Sequence, residues 1–265
     1  MYSLNHKVTI STCNSEGRLK LYSALQMMQD CSELWIDSEP GIKQYFADQN
    51  MTQVLAFRQV EIMRVPQYKE NLTVTSSVYD RKPMFGYRNT FIYDSEGNPC
   101  YKTWSLGAFI DKSTGRLKRI DAATLETMAL DSQLEMDYKE HRIVLPKEGG
   151  VKYDAIPVMK SDIDYNRHVN NANYIRMAME LLPENFNVKS LRVEYKIATK
   201  YGEVLIPTVF TTDDVVTISR EEYVDLISAV SLLDTIERWI KAHRHANRLD
   251  PMDLMILLGA KEEKA

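Results

Sequence analysis

The stretch DYNRHVNNANY, at residues 164–174, concentrates polar side chains that can act in acid–base chemistry. Asp164, Asn166 and His168 alternate by two, so an extended backbone would project all three side chains from one side. An imidazole has an ordinary pKa of about 6.5 and can exchange a proton near neutral pH. The spacing therefore predicts a small site in which a base, an amide and a carboxylate converge.

A helix is expected to begin near Ala172, directly after these residues. Asn170 or Asn171 would cap it, because an Asn side chain accepts a hydrogen bond from the first-turn amides. The backbone N–H groups of Val169, Asn170 and Asn171 would then lie at the positive end of the helix dipole. Such groups could polarise a carbonyl oxygen.

This layout suits the hydrolysis of a thioester. His168 would be the base, Asn166 would orient the histidine or the carbonyl, and Asp164 would either support the histidine or attack the carbonyl itself. The same residue types are common in turns and helix caps, so a purely structural role stays open. The sequence contains no G-x-S-x-G, G-x-G-x-x-G, Walker or H-E-x-x-H motif. No cofactor and no metal are therefore predicted.

Composition excludes several other classes. The 265 residues are 44% hydrophobic and 26% charged, as in soluble globular proteins, and the net charge of -4 disfavours a general nucleic-acid binder. The N-terminus lacks the pattern of a secretory signal, and no apolar run is long enough for a membrane span, so a cytoplasmic location is predicted. Cys13, Cys31 and Cys100 are widely spaced, which indicates reduced thiols and neither disulfides nor zinc.

The chain shows one order of elements twice. Leu21, Ala24, Leu25 and Met28 have helical spacing, and strand-type segments follow at 52–63, 72–80, 84–94 and 100–110. In the second half, Tyr174, Met177, Ala178 and Leu181 repeat the helical spacing, and strand-type segments follow at 191–198, 203–213 and 222–234. The tail after these segments could be strand or helix.

Residue identities support an internal duplication. The segment 60–72 aligns with 193–205 at a constant offset of 133 residues, and five positions are identical. A helix wrapped by an antiparallel sheet, present twice, is an α+β architecture that fits two tandem hotdog domains. We predict an N-terminal domain at 1–134, a linker at 135–154 and a C-terminal domain at 155–265, with the site residues in the second domain.

The segment 162–183, DIDYNRHVNNANYIRMAMELLP, resembles the signature of the plant and bacterial acyl-acyl carrier protein (acyl-ACP) thioesterases. In that family D-x-N-x-H-V-N-N-x-x-Y leads into the helix of the second hotdog domain. The resemblance places the family's site residues on Asp164, Asn166 and His168. It implies hydrolysis of fatty acyl-ACP to free fatty acid, an acidic carrier protein as partner, and a degenerate first domain that shapes the acyl pocket.

One position departs from the family pattern. Where relatives have E-Y-x-x-E followed by Cys or a small residue, this chain has Ala198 and Thr199. Ala198 makes a non-catalytic acyl-thioester-binding protein one alternative. An acyl-CoA thioesterase is another alternative, and a homodimer is left open. The candidates for a carrier-docking patch are Arg58, Arg64, Arg81, Lys82 and Arg88. The candidates for lining an acyl tunnel are Met27, Met28, Met51, Met63 and Met84.

Overall fold

A computed structural model of the chain describes residues 1–183, 186–212 and 215–219. The helices are α1 (Leu21–Asp37), α2 (Pro40–Asp48), α3 (Ala122–Thr127) and α4 (Asn171–Met179). The strands are β1 (Tyr2–Lys7), β2 (Met51–Ile62), β3 (Asn71–Lys82), β4 (Phe85–Tyr93), β5 (Pro99–Asp111), β6 (Val151–Lys152), β7 (Ile156–Pro157), β8 (Ser190–Glu194), β9 (Val204–Leu205), β10 (Thr208–Thr211) and β11 (Val216–Ser219).

These elements form two compact units. The first unit consists of Met1–Val144 together with Val169–Ala198, and the second consists of Leu145–His168 together with the described residues from Thr199 onward. The helix α4 and the strand β8 therefore belong to the first unit, although they lie in the second half of the chain.

The first unit is built on a six-stranded antiparallel sheet in the order β1-β3-β4-β5-β2-β8. The helix α1 covers one face of this sheet. Its buried residues Ala24, Leu25 and Met28 follow the predicted helical spacing and share a core with Val60 of β2 and Ile175 of α4. The predicted first helix and the four strands that follow it are therefore confirmed.

The opposite face of the sheet is covered by part of the predicted linker. Tyr138 packs near Phe57 and Trp104, and its hydroxyl donates a hydrogen bond to the carbonyl of Leu134 at 2.7 Å. The backbone N–H of Lys139 donates to the Gln59 side chain at 2.8 Å. The part of the predicted linker around Tyr138 and Lys139 is therefore packed on the sheet by specific contacts.

Two features of the second half differ from the sequence prediction. The predicted strand at 191–198 ends at Glu194, and it pairs with β2 of the first repeat. The predicted strand at 203–213 is divided into β9 and β10 at Pro207, which has no N–H to donate to a sheet. The predicted strand at 222–234 and the tail lie outside the described residues.

The predicted internal repeat is present in three dimensions. His6 pairs with Leu72 between β1 and β3, and the equivalent pair between β7 and β9 is Ile156 with Leu205. The turn before each second strand is also shared. The Glu70 carboxylate accepts from the backbone N–H of Gln67 at 2.7 Å, and the Glu203 carboxylate accepts from that of Lys200 at the same distance.

The pairing of β2 with β8 joins the two repeats. Arg58 pairs with Val193, which is the equivalent of Val60 at the offset of 133. Val60 in turn pairs with Leu191, which is the equivalent of Arg58. Gln59 consequently pairs with its own equivalent, Arg192. A local pseudo-two-fold axis therefore passes between these two residues, and β8 covers the edge that β2 would otherwise expose.

Candidate active site

The residues from Asp164 to His168 form a tight turn. The backbone N–H of Asp164 donates to the carbonyl of His168 at 3.0 Å, and that of Arg167 donates to the carbonyl of Asp164 at 2.9 Å. The Asp164 Oδ1 accepts from the backbone N–H of Asn166 at 2.9 Å, which is the bond of an Asx turn. Arg167 has a φ of 66°, in the left-handed region that closes the turn.

This turn corrects the prediction of an extended segment. In an extended strand Asp164, Asn166 and His168 would share one side, whereas here the chain reverses between Asp164 and His168. Asn166 lies exposed at the tip, and the other two residues lie half-buried at the neck, where backbone hydrogen bonding holds them opposite each other. The prediction from alternating residues was wrong because it assumes an extended backbone. Here the Asx hydrogen bond and the positive φ of Arg167 close the backbone into a turn.

The turn is anchored by the residues before it. A 3-10 helix spans Lys160–Asp162, and the buried Asp162 carboxylate accepts from the backbone N–H of Met159 at 2.8 Å. The backbone N–H of Val158 donates to the carbonyl of Glu203 at 2.9 Å. These bonds fix the approach to the turn, so the neck residues have a defined backbone position.

The helix α4 begins immediately after the turn, as predicted. Asn170 is the N-cap, and its Oδ1 accepts from the backbone N–H of Ala172 at 2.9 Å. Val169 is buried and Asn171 is the first helical residue. The first amides of a helix have no intrahelical acceptor, so the N–H groups at this end form the positive pole of α4.

The first repeat contains the same turn with different side chains. The Asn14 Oδ1 accepts from the backbone N–H of Glu16 at 3.0 Å, and the backbone N–H of Asn14 donates to the carbonyl of Arg18 at 2.8 Å. Gly17, with a φ of 75°, occupies the position equivalent to Arg167. The turn is thus a property of both repeats, while His168 and Asn166 are specific to the second.

Tyr195 lies near the start of α4, and no role was predicted for it from the sequence. Its hydroxyl donates to the carbonyl of Asn171 at 3.4 Å, and its ring lies 6.2 Å from that of Tyr174. Burial raises the pKa of the Tyr195 phenol to about 12, while the charge of Arg58 acts to lower it. The tyrosine is therefore a neutral hydrogen-bond donor at the first turn of α4. The E-Y pair at 194–195 was a sequence signal that could have identified it.

Two family models match the chain. The acyl-ACP thioesterase N-terminal domain matches residues 1–128, and the acyl-ACP thioesterase C-terminal domain matches residues 147–228. Together they cover well over half of the sequence. The chain belongs to the acyl-ACP thioesterase family.

Individual family members are similar over long segments. The chloroplastic acyl-[acyl-carrier-protein] hydrolase FATB3 of Cuphea viscosissima is 25% identical over an alignment of 162 residues that covers 57% of this chain and 39% of that relative's length. A crystal structure of an acyl-ACP thioesterase from Bacteroides thetaiotaomicron has a TM-score of 0.72 at 19% identity and covers 82% of this chain and 91% of that one. The 12:0-ACP thioesterase from Umbellularia californica has a TM-score of 0.70 at 14% identity, covering 83% and 88%. The structural similarity confirms the predicted tandem hotdog fold.

The departures from the acyl-ACP thioesterase pattern have different surroundings. Ala198 is exposed, whereas Thr199 is fully buried. The carboxylate of Glu194, which precedes them, makes two structural contacts. It accepts a hydrogen bond from the backbone N–H of Ile143 and forms an ion pair with Lys196 at 3.0 Å. Glu194 therefore does not substitute for the last glutamate of the family's E-Y-x-x-E pattern, whose position is Ala198 in this chain.

Two of the five residues predicted for the carrier-docking patch are buried, so that part of the prediction is wrong. Arg58 and Arg88 are only 3% and 6% exposed, so they cannot offer a surface to a carrier protein. Arg64 is exposed but pairs with Glu70 and Asp94 at 2.8 and 3.2 Å. The methionines predicted to line an acyl tunnel differ in burial. Met63 is 57% exposed, whereas Met28 and Met51 are fully buried.

Neither a membrane span nor a metal cluster is found in the part of the chain that the structure describes. No helix there is long and apolar enough to cross a membrane. No group of three or more His, Cys, Asp and Glu side chains within 1–183, 186–212 and 215–219 is arranged to hold a metal ion.

Proposed function

We propose that the protein hydrolyses the thioester of fatty acyl-ACP and releases free fatty acid. Family membership supports this reaction, and the curated plant relative is named for it. The observation that carries the proposal is the contrast between the two copies of one turn. The second copy alone places an imidazole at the neck and leads directly into a helix with an Asn cap.

The chemistry requires a base, a carbonyl activator and a leaving group that can be protonated. His168 accepts a proton from water as the water oxygen attacks the thioester carbonyl carbon. The negative charge that develops on the carbonyl oxygen is stabilised by backbone N–H groups of Val169, Asn170 and Asn171. The C–S bond then breaks, and the imidazolium returns its proton to the thiolate of the carrier's prosthetic arm.

Asn166 and Asp164 complete the proposed machinery. Asn166 orients the reactants, because its exposed amide at the tip of the turn can both donate and accept hydrogen bonds. Asp164 holds the turn through its Oδ1 and provides negative charge beside the imidazolium. Direct attack by the Asp164 carboxylate on the carbonyl is the second route, and an acyl-enzyme trapped by rapid quenching would favour it.

The proposal includes the organisation and setting that the sequence predicted. The domain at 1–134 shapes the acyl pocket, the linker is at 135–154, and the domain at 155–265 carries the catalytic residues. The acyl carrier protein delivers the substrate, and the protein acts in the cytoplasm.

The decisive experiment compares one position in the two copies of the turn. His168→Ala should lower the release of free fatty acid from acyl-ACP by at least about 10²-fold, the usual scale for loss of a general base. Arg18→Ala, at the equivalent position of the first repeat, should leave the rate within about twofold. Equal rates for wild type and His168→Ala would reject the assignment.

Carrier and CoA thioesters of one chain length distinguish the alternatives. We expect a larger kcat/KM for the carrier thioester. A reversed preference would favour an acyl-CoA thioesterase. Tight binding of a non-hydrolysable acyl thioether analogue, with no turnover of either thioester, would favour the non-catalytic binding protein that Ala198 raises.

A further inference from the structure

Two arginines are buried on the face of the first unit's sheet that is covered by α1. Arg58 of β2 and Arg88 of β4 both pair with Ser105 of the intervening strand β5, so they lie in one row across the sheet. Their residues are 3% and 6% exposed. Val60, two residues after Arg58, belongs to the core beneath α1, which places the Arg58 side chain on the same face.

Arg88 is held by neutral partners. Its Nη1 donates to the carbonyl of Ser32 at 3.0 Å and to the Ser76 hydroxyl at 2.9 Å, and its guanidinium lies 4.4 Å from the centre of the Trp35 ring. The hydroxyls of Ser32, Ser76 and Thr90 lie within 3.3 to 3.4 Å of one another. A polar cluster therefore interrupts the apolar contact between α1 and the sheet.

Arg58 has a donor without an acceptor. Its buried Nε makes no hydrogen bond with any part of the chain that the structure describes. A buried donor without a partner typically costs about 1–3 kcal/mol, and more when it is charged. Natural structures retain few such groups, and a bound water, a ligand, local strain or a functional role usually accounts for them.

In the part of the chain that the structure describes, one carboxylate acts on the two arginines. Glu33 is the carboxylate whose charge acts on both arginines, and Glu33 itself is exposed. Burial lowers the pKa of both guanidinium groups, that of Arg88 to about 10. Among the described residues, two guanidinium groups, which proteins do not deprotonate, thus lie near one carboxylate, and this excess of positive charge favours an anion.

The cluster is linked to the start of α4. Tyr195 lies diagonally across β2 and β8 from Arg58, because Arg58 pairs with Val193 and long side chains reach their diagonal neighbours. The Tyr195 hydroxyl contacts the carbonyl of Asn171, and Asn171 follows His168 by three residues. The buried Arg58 is therefore next to Tyr195, whose hydroxyl contacts the first turn of the candidate catalytic helix.

We propose that Arg58 and Arg88 form a binding subsite for the carboxylate of the released fatty acid. The inference rests on the proposed function, because that reaction generates a carboxylate on an aliphatic chain. A guanidinium offers parallel N–H donors that match the two oxygens of a carboxylate. The surrounding core of α1 and the sheet is apolar, which suits an alkyl chain better than a free phosphate.

The test compares a medium-chain fatty acid with the fatty alcohol of the same length. Their dissociation constants are measured by calorimetry at about pH 8, where a carboxyl group of ordinary pKa is ionised. The wild type should bind the acid at least about tenfold more tightly than the alcohol. Equal affinities in the wild type would overturn the subsite without any variant.

Variants then assign the preference to Arg58. Arg58→Met keeps side-chain volume and should abolish the preference for the acid while leaving the affinity for the alcohol within about twofold. Arg58→Lys should restore part of the preference. Arg64→Met, which removes an exposed arginine of the same repeat, should leave the preference intact. A folded Arg58→Met protein that still prefers the acid would refute the proposal, because a merely structural arginine alters the melting temperature only.

Hydrolysis of acyl-ACP is followed in parallel, so the two proposals fail separately. Preference for the acid without hydrolysis would leave the subsite standing and reject the enzymatic function. Hydrolysis without the preference would reject the subsite alone.

Discussion

Asn14 and Asp164 occupy the same position in two copies of one turn. The side-chain Oδ1 of each residue accepts a hydrogen bond from the backbone N–H two residues later, at 3.0 Å from Glu16 and at 2.9 Å from Asn166. A neutral amide and a carboxylate thus build the same local structure. The turn needs an acceptor but not a charge, so the Asx hydrogen bond does not explain why residue 164 is a carboxylate.

The exchange of Asp164 for asparagine therefore separates shape from charge. Asp164→Asn should keep the free energy of unfolding within about 1 kcal/mol of wild type, because the amide oxygen can make the same hydrogen bond. Hydrolysis of acyl-ACP should fall by at least about tenfold, since the neutral amide can neither stabilise the imidazolium nor attack a carbonyl. Urea unfolding and release of free acid measure the two effects.

Asn14→Asp is the matched control in the first repeat, and it should change neither quantity appreciably. If Asp164→Asn retained full hydrolysis, Asp164 would be a turn residue only, and the catalytic role assigned to it would be withdrawn.

Positive φ angles in the turn give a prediction about stability. Arg167 adopts a φ of 66°, and a non-glycine residue in this region costs about 1–2 kcal/mol. Arg167→Gly should therefore stabilise the protein by about 0.5 kcal/mol, because the greater freedom of glycine in the unfolded chain offsets part of the gain. Thermal unfolding at two scan rates would measure the change.

Gly17→Ala, at the equivalent position of the first repeat, should destabilise the protein by about 1 kcal/mol. A Cβ at residue 17 would lie 3.9 Å from the Cβ of Tyr68, an ordinary contact, so the cost arises from its φ of 75° and not from crowding. Stabilisation by Gly17→Ala would show that the strain argument does not apply here.

The cap of α4 should contribute measurably to stability. Asn170→Ala removes the side-chain acceptor of the Ala172 N–H and should cost about 1 kcal/mol of unfolding free energy. Lys20 occupies the N-cap position of α1 without a side-chain capping bond, so Lys20→Ala should cost less than about 0.5 kcal/mol. Equal losses in denaturant titrations of the two variants would argue against the capping role of Asn170.

The ion pair of Arg64 with Glu70 predicts a dependence of stability on pH. Hydrogen bonds from Arg64 hold the pKa of the Glu70 carboxyl below its ordinary value of 4.5. A carboxyl whose pKa is lower in the folded state contributes stability above its unfolded pKa. That contribution is lost as the pH falls through the folded pKa.

Arg64→Met should therefore cost up to about 1 kcal/mol at neutral pH, a value limited by the exposure and screening of Arg64. The difference from wild type should shrink as the pH falls below about 4 and as salt is added. A loss in the denaturant titrations that stayed constant from neutral to acidic pH would point to lost packing of the Arg64 stem rather than to the ion pair.

The elements that local patterns specify were predictable from the sequence. The helical spacing of Leu21, Ala24 and Met28 and the four strand segments after it match α1 and the strands β2 to β5, because one face of each element must be buried. Their order in the sheet could not be predicted, since β2 pairs with β5 instead of its chain neighbour β3. The offset of 133 residues predicted the repeat that the paired strands and the shared Glu70 and Glu203 turns display.

The site was only partly predictable. The residue types in 164–171 and the Asn170 cap could be derived, because a cap depends on neighbours within one turn of helix. The geometry of Asp164, Asn166 and His168 could not, since alternation assumes an extended backbone. The clue was the first repeat, where Asn14 and Gly17 have the composition of an Asx turn with a left-handed closing residue.

The sequence by itself determined the elements, their order, their duplication and the chemical character of the residues around His168, because these follow from short-range spacing and side-chain chemistry. Tertiary structure alone decided that β8 pairs with β2, that Arg58 and Arg88 are buried, and that Tyr195 contacts Asn171. These relationships join residues far apart in the chain. They depend on strand register and on which face of a sheet a helix covers, and local patterns do not encode either.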